Sequence, residues 1–188
     1  MSLNNFNTDY WPVVFFKTNN SMIDDETFED FKKFYLNLLL RCKKSNEKMI
    51  LIFNVNLTEN VPMKYIMRQA EFNKKVEKFN KEFIKCVCIL CNNKNFKNIL
   101  NLYFTFVRPV SPYKLCRSFD KVNKYLVEKH NIHFDSHIFD NYLENKKSDC
   151  DVEAEDDFEE FENNELDNNQ EEIINTNVSN IEDMIVNI

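Results

Sequence analysis

The sequence predicts an α/β domain, a four-stranded and mainly parallel sheet with helices packed on it, followed by an acidic C-terminal arm. Three observations carry this expectation. Compact, continuously apolar runs recur along the chain, the pattern of strands buried on both faces. Between them lie segments with apolar residues at spacings of three and four, long enough to be crossover helices. Finally, all 24 Lys and Arg residues lie at or before Lys147, whereas residues 149–188 carry 15 of the 31 Asp and Glu residues. The formal charge of −7 therefore averages a basic body and an acidic arm. We place the domain at residues 1–145 and a largely disordered acidic tail at 146–188, because the Asn- and acid-rich stretch from Lys146 has too little apolar surface to order itself.

Each element has its own signal. Residues 11–18, "WPVVFFKT", form a β-branched and aromatic run ended by Asn19-Asn20. In the following helix Phe28, Phe31, Tyr35, Leu38 and Cys42 fall on one stripe, with acids opening the segment and bases closing it, as the helix dipole favours. Residues 49–55, "MILIFNV", read as an apolar strand. One long helix is expected from Pro62 to Phe83, with Pro62 at its first position and Tyr65, Phe72, Val76, Phe79 and Phe83 as its buried stripe. A strand near 85–91, a short helix over 95–104, a strand near 113–118 and a helix over 119–130 complete the body. Asp135 with Ile138, Phe139 and Tyr142 suggests a further short helix. Crossovers between parallel strands should be right-handed.

Composition excludes whole classes of site. The chain has no glycine, so the phosphate-cradling loops of nucleotide-binding proteins and the strained elbow of hydrolases cannot be built in their usual form. No cofactor is expected. Left-handed turns must fall to Asn, and Asn19, Asn20, Asn60, Asn92 and Asn93 sit where such turns are wanted. The 29 Asn and 20 Lys against 4 Arg are the mark of AT-rich coding. Six cysteines follow no disulfide framework; Cys86 and Cys88 alternate as core residues of a strand would, which favours free thiols over a zinc site and a reducing, cytoplasmic compartment. Neither a secretory leader nor a membrane span is expected from the apolar runs.

The order of landmarks from Trp11 to Leu126 adds a family likeness. An apolar strand is followed by a helix with "YIMRQAEF" (65–72), the strand "VCIL", a helix ending in aromatics, the Pro-broken link "TFVRPVSP" (105–112), a strand and "SFDKVNKYL" (118–126). This resembles the SpoIIAA-like fold of STAS domains, closest to small stand-alone STAS/SEC14-like proteins. Arg68-Gln69-Ala70-Glu71, Pro109 and Pro112 are its most informative residues. Phospho-switch members of that superfamily carry an Asp-Ser-Ser-Gly stretch in the second β/α turn. Here the matching "NVNLTENVPMK" (54–64) has neither Ser nor Gly, so the switch is not carried over; its one hydroxyl, Thr58, reads best as a turn cap.

Three constellations remain. Lys74, Lys78, Lys81 and Lys85 follow spacings of four, three and four, which on one helix would stack four ammonium groups as an anion- or partner-binding face. His130, His133 and His137 would share a face only if their segment were a single helix, and the helix start at Asp135-Ser136 speaks against that; no metal site is expected. In the arm, Ile174, Val178, Ile181 and Ile185 repeat at four and three before Ile188, with Ser179 and Glu182 as a capping box, the pattern of a docking helix. With no acid, base and nucleophile brought together, the expected function is a non-enzymatic regulatory or protein-interaction module. Its acidic arm docks on a protein partner or masks the body's own basic face, ahead of nucleic acid or anionic lipid as partners. The alternative, from the SEC14 side of the resemblance, is a carrier of an apolar, lipid-like ligand.

Overall fold

Strands that are apolar on both faces need cover on both, and the architecture follows from that requirement. The protein is described by a computed structural model over residues 6–19, 24–58, 61–92 and 94–133. In chain order the elements are β1 (Phe6–Asn7), β2 (Val13–Asn19), α1 (Asp25–Ser45), β3 (Met49–Leu57), α2 (Met63–Lys75), α3 (Glu77–Phe83), β4 (Ile84–Leu90), α4 (Lys94–Phe106), β5 (Tyr113–Cys116) and α5 (Phe119–His130). The sheet runs β1-β2-β3-β4-β5, in sequence order. Strands β2 to β5 are parallel, with Phe16 opposite Phe53, Ile52 opposite Cys88 and Leu90 opposite Cys116.

The expectation of a four-stranded, mainly parallel sheet is corrected in one respect. A fifth strand, β1, pairs antiparallel with β2 through Phe6↔Phe16 and Asn7↔Phe15, so the sheet is mixed. Two residues in a polar stretch leave no periodic signal. What holds them is aromatic packing, since the Phe6 ring lies 4.4 Å from Phe16 and 3.8 Å from Phe34. The first long strand also begins later than predicted. Trp11 and Pro12 belong to a turn, with Trp11 N–H donating to Thr8 O and Val13 N–H to Tyr10 O.

Alternation along the strands divides the core. Val14, Met49, Leu51 and Ile84 pack under α1, α2 and α3 with Leu36, Leu39, Phe72, Val76, Phe79 and Phe83. Val13, Phe15, Ile50, Ile52, Cys86, Cys88, Leu90 and Cys116 form the opposite layer with Phe119, Val122 and Leu126 of α5. A third cluster joins Val55, Ile89 and Cys91 to Phe96 of α4. Cys42, Cys86, Cys88, Cys91 and Cys116 are buried free thiols; burial pushes the Cys42 thiol up to about 11.

Helix ends obey local chemistry. Asp24 accepts from Thr27 N–H at 2.7 Å to open α1, and Ser118 accepts from Lys121 N–H to open α5. Both helices close on an asparagine in the left-handed region, Asn46 at φ 55° and Asn131 at φ 54°. Asparagine does take the role glycine usually fills, here at two positions other than the expected ones; of those, Asn19 and Asn92 have no positive φ, and Asn20, Asn60 and Asn93 lie outside the described residues. The predicted helix from Pro62 to Phe83 is two helices: Val76, at φ −100° and ψ 8°, bends the chain between them. Fully buried Val76 wedges there among the Phe72, Phe79 and Phe83 rings, and Pro62 precedes α2 as its cap.

Asn46→Ala should lower unfolding stability by about 1 kcal/mol, since a Cβ without a polar side chain is strained at positive φ. Asn46→Gly should match or exceed the parent; urea unfolding of the three proteins measures both.

Candidate functional site

Between the sheet and the crossover helices lies a cavity of about 360 Å³, within the roughly 300–1,000 Å³ typical of small-molecule pockets. Its floor is Phe53, Val55, Val87, Ile89 and Tyr113 of the sheet. Phe28, Phe31 and Tyr35 of α1 form one wall, and Ile99, Leu100, Tyr103, Phe104 and Val107 of α4 the other. Helix α2 spans the top with Tyr65, Ile66, Gln69 and Asn73. Burial shows the contrast between the two faces of the sheet. On the α5 side Ile50, Ile52, Cys86 and Cys88 are at most 1% exposed, while on the cavity side Val55 and Ile89 are buried and Phe53 and Val87 half-buried. Inward-facing Ile99, Leu100, Tyr103 and Phe104 are half-buried as well.

A small polar set interrupts the apolar lining. Tyr35 Oη donates to Asn80 Oδ1 at 2.8 Å, and Ser111 Oγ donates to the Asn80 carbonyl at 3.1 Å. Across the cavity Gln69 Nε2 donates to Asn73 Oδ1 at 3.5 Å, and Asn73 Nδ2 donates to Tyr103 Oη. Thr18 and Thr58 share a hydroxyl–hydroxyl bond where β2 and β3 end. Desolvation raises the pKa of both Tyr35 and Tyr103, that of Tyr35 further through the nearby Tyr103 and that of Tyr103 less through its hydrogen bond with Asn73, so both phenols stay protonated. Among the lining residues the charged ones are Glu77 and Arg108, both exposed and therefore at the rim.

An ionic clasp closes the side between α1 and α2. Asp25 accepts from Lys64 Nζ at 2.8 Å, Tyr65 Oη at 3.1 Å and Arg68 Nη1 at 2.5 Å, while Arg68 Nη2 reaches Glu29 Oε1 at 2.6 Å. The Arg68 guanidinium also lies 4.6 Å from the Phe28 ring centre, a cation–π contact. Since Phe28 and Tyr65 line the cavity, the clasp fixes its edge. The hydrogen bonds from Lys64 and then Tyr65 hold the Asp25 carboxyl below its ordinary value.

The lysines expected to form one face are all exposed, yet they do not share a helix. Lys74 lies in the last turn of α2, Lys78 and Lys81 belong to α3, and Lys85 is the extra residue of a β4 bulge where Met49 pairs with Ile84 and Ile50 with Cys86. None of the four is ion-paired among the described residues. His130 ends α5 and His133 lies exposed beyond the Asn131 cap, so these two do not share a helix either; His137 lies outside the described residues. Burial, then Lys85, lowers the His130 pKa. No group of three or more potential metal ligands occurs among the described residues. Ile174, Val178, Ile181 and Ile185 of the arm also lie outside them.

The cavity's polar residues were missed in the sequence, although a signal existed. Gln69, Asn73 and Asn80 fall beside Tyr65, Phe72, Val76 and Phe79 on the inward side of α2 and α3, where a filled core would carry apolar residues. Arg68 and Gln69 of the family-like "RQAE" stretch sit in the clasp and the cavity, Ala70 is buried and Glu71 is exposed. Buried, hydrogen-bonded Thr58 acts within the fold, as a turn hydroxyl would. No helix among the described residues is long and apolar enough to cross a membrane. No protein-family model, curated protein or solved structure matches the chain.

The clasp sets a pH dependence. A depressed carboxylate pKa contributes stability that is complete above the unfolded value of about 3.9 and is lost as pH falls through the folded value. The difference in melting temperature between the protein and Asp25→Asn should therefore be constant from neutral pH to about pH 5 and vanish toward pH 2. High salt should shrink it, because the clasp is exposed.

Proposed function

We propose that the domain binds an apolar small molecule in the cavity under α2 and α4 and acts as a non-enzymatic carrier or receptor for it. The observation that carries this reading is a cavity of about 360 Å³ lined by aromatic and aliphatic side chains, of which Phe28, Phe31, Phe53, Val87, Leu100 and Phe104 stay half-buried in the folded protein. Well-packed interiors close such space, because each unfilled contact forfeits dispersion energy. A few placed polar groups in an apolar lining are the usual make-up of a ligand site. The resemblance to STAS/SEC14-like proteins agrees with this reading, and the free thiols suit a reducing, cytoplasmic location.

Native mass spectrometry of protein purified from its own cells should show a retained small molecule. Val87→Phe, which fills the floor of the cavity, should abolish that adduct while leaving thermal stability equal or about 0.5–2 kcal/mol higher. An adduct that survives in Val87→Phe, or a protein that retains nothing and binds no apolar dye, would refute the reading.

A second reading rests on a separate observation, the exposure of Lys74, Lys78, Lys81 and Lys85 without ion-pair partners among the described residues. The body would then also be an interaction module whose acidic arm competes with external partners for these ammonium groups at high effective concentration. Deletion of residues 149–188 should raise heparin affinity at low salt, and Lys78→Glu with Lys81→Glu should lower it. The gain on deletion should fade as the Debye length shortens toward about 8 Å. Equal binding by full-length and truncated protein at low salt would exclude self-masking.

A further inference from the structure

The polar residues inside the cavity have a direction, and it points to the ligand's chemistry. Asn73 accepts from Gln69 Nε2 through Oδ1 and donates through Nδ2 to Tyr103 Oη. Tyr103 Oη thus receives a hydrogen bond, and its own proton has no acceptor among the described residues. We infer that Tyr103 donates this hydrogen bond to a single uncharged oxygen, hydroxyl or carbonyl, of an otherwise apolar lipid-like ligand. The inference rests on the cavity being a ligand site and specifies what that site selects.

Charge argues the same way. Glu77 and Arg108, the charged lining residues, stand exposed at the rim, while Tyr103 sits within, on the side of α4 that faces Tyr35 and Asn73. A carboxylate or ammonium beside Tyr103 would lose hydration against a mainly apolar lining whose charged residues stand at the rim, a heavy penalty. A neutral oxygen loses far less and recovers it in one hydrogen bond. Tyr103 remains protonated because burial raises its pKa, so the donor persists across the physiological range. The Asn73 side chain acts as a positioning group: it fixes the phenol and leaves the O–H directed into the cavity.

The test uses full-length protein and three probes of one chain length: hexadecane, 1-hexadecanol and palmitate, each displacing Nile red. Hexadecanol should bind best at pH 7.5. Tyr103→Phe should weaken hexadecanol roughly three- to tenfold, the usual range for one hydrogen bond, and leave hexadecane unchanged. If Tyr103→Phe weakens both probes equally, or neither, the polar inference falls while the cavity stands as a ligand site. Palmitate binding at least as tightly as hexadecanol would overturn it too; loss of that advantage in Arg108→Gln would place an anionic head at the rim instead. If Nile red and all three probes fail to bind, the carrier reading itself is wrong. The headgroup order in the unsubstituted protein decides the question even where Tyr103→Phe folds poorly.

Discussion

Everything in this domain depends on one constraint: four parallel strands stacked in the order in which the chain makes them. Each parallel pair needs a crossover, and crossovers of one hand between strands that advance in one direction all land on one face. That face carries α1, α2, α3 and α4, and of the described helices α5 alone packs on the other. The four parallel strands, about 4.8 Å apart, span roughly 15 Å, whereas three helices side by side at 8–10 Å spacing need about 16–20 Å between the outer axes. The outer helices therefore stand at or past the edges of the parallel strands. Beside β2 the short edge strand β1 brings in Phe6, which with Phe16, Phe31 and Phe34 widens the support under α1. At the other edge β5 is only four residues long, so α4 has a short floor.

Two polar arrangements keep the space from collapsing. The clasp of Asp25, Glu29, Lys64 and Arg68 ties α1 to α2 from outside, and the bend at Val76 carries α3 back onto the sheet so that Asn80 can meet Tyr35. Inside, the Tyr35–Asn80 and Asn73–Tyr103 pairs link α1 to α3 and α2 to α4. A buried polar group without a partner costs more than a made hydrogen bond returns, so these four residues pin the helices at fixed separations. Apolar side chains in their places could slide inward and fill the gap. Polar cross-links are thus part of what keeps this cavity open against a folded core.

Much of the fold was legible because its signals are local and periodic. Every long strand and helix of the body lies where apolar runs and three- and four-residue spacings put it, and the acid-to-base polarity of α1 matches its ends. What was illegible depends on partners distant in sequence. Phe6 becomes a strand residue because Phe16 and Phe34 hold its ring, and nothing in "NNFNT" announces them. Val76 reads as one more buried helical position; its bend is set by the fit of α3 on the sheet. The lysine spacing was real but assumed one unbroken helix, and the break distributes it over three elements. The cavity was hidden for a different reason. Periodicity marks which residues point inward, not whether they meet anything, so Phe28, Phe31 and Tyr65 count as core by pattern and as cavity wall by packing.

Helix α3 joins the two functional readings. Its inner side gives Glu77 and Asn80 to the cavity, and its outer side gives Lys78 and Lys81 to solvent. A helix of seven residues, bounded by a bend at Val76 and a strand at Ile84, has little internal stability of its own. If the proposed ligand binds, an anion held by these lysines would act on one wall of its cavity. Linkage makes that action reciprocal: if an acidic segment shifts α3 so as to change ligand affinity, the ligand changes the affinity for that segment by the same factor.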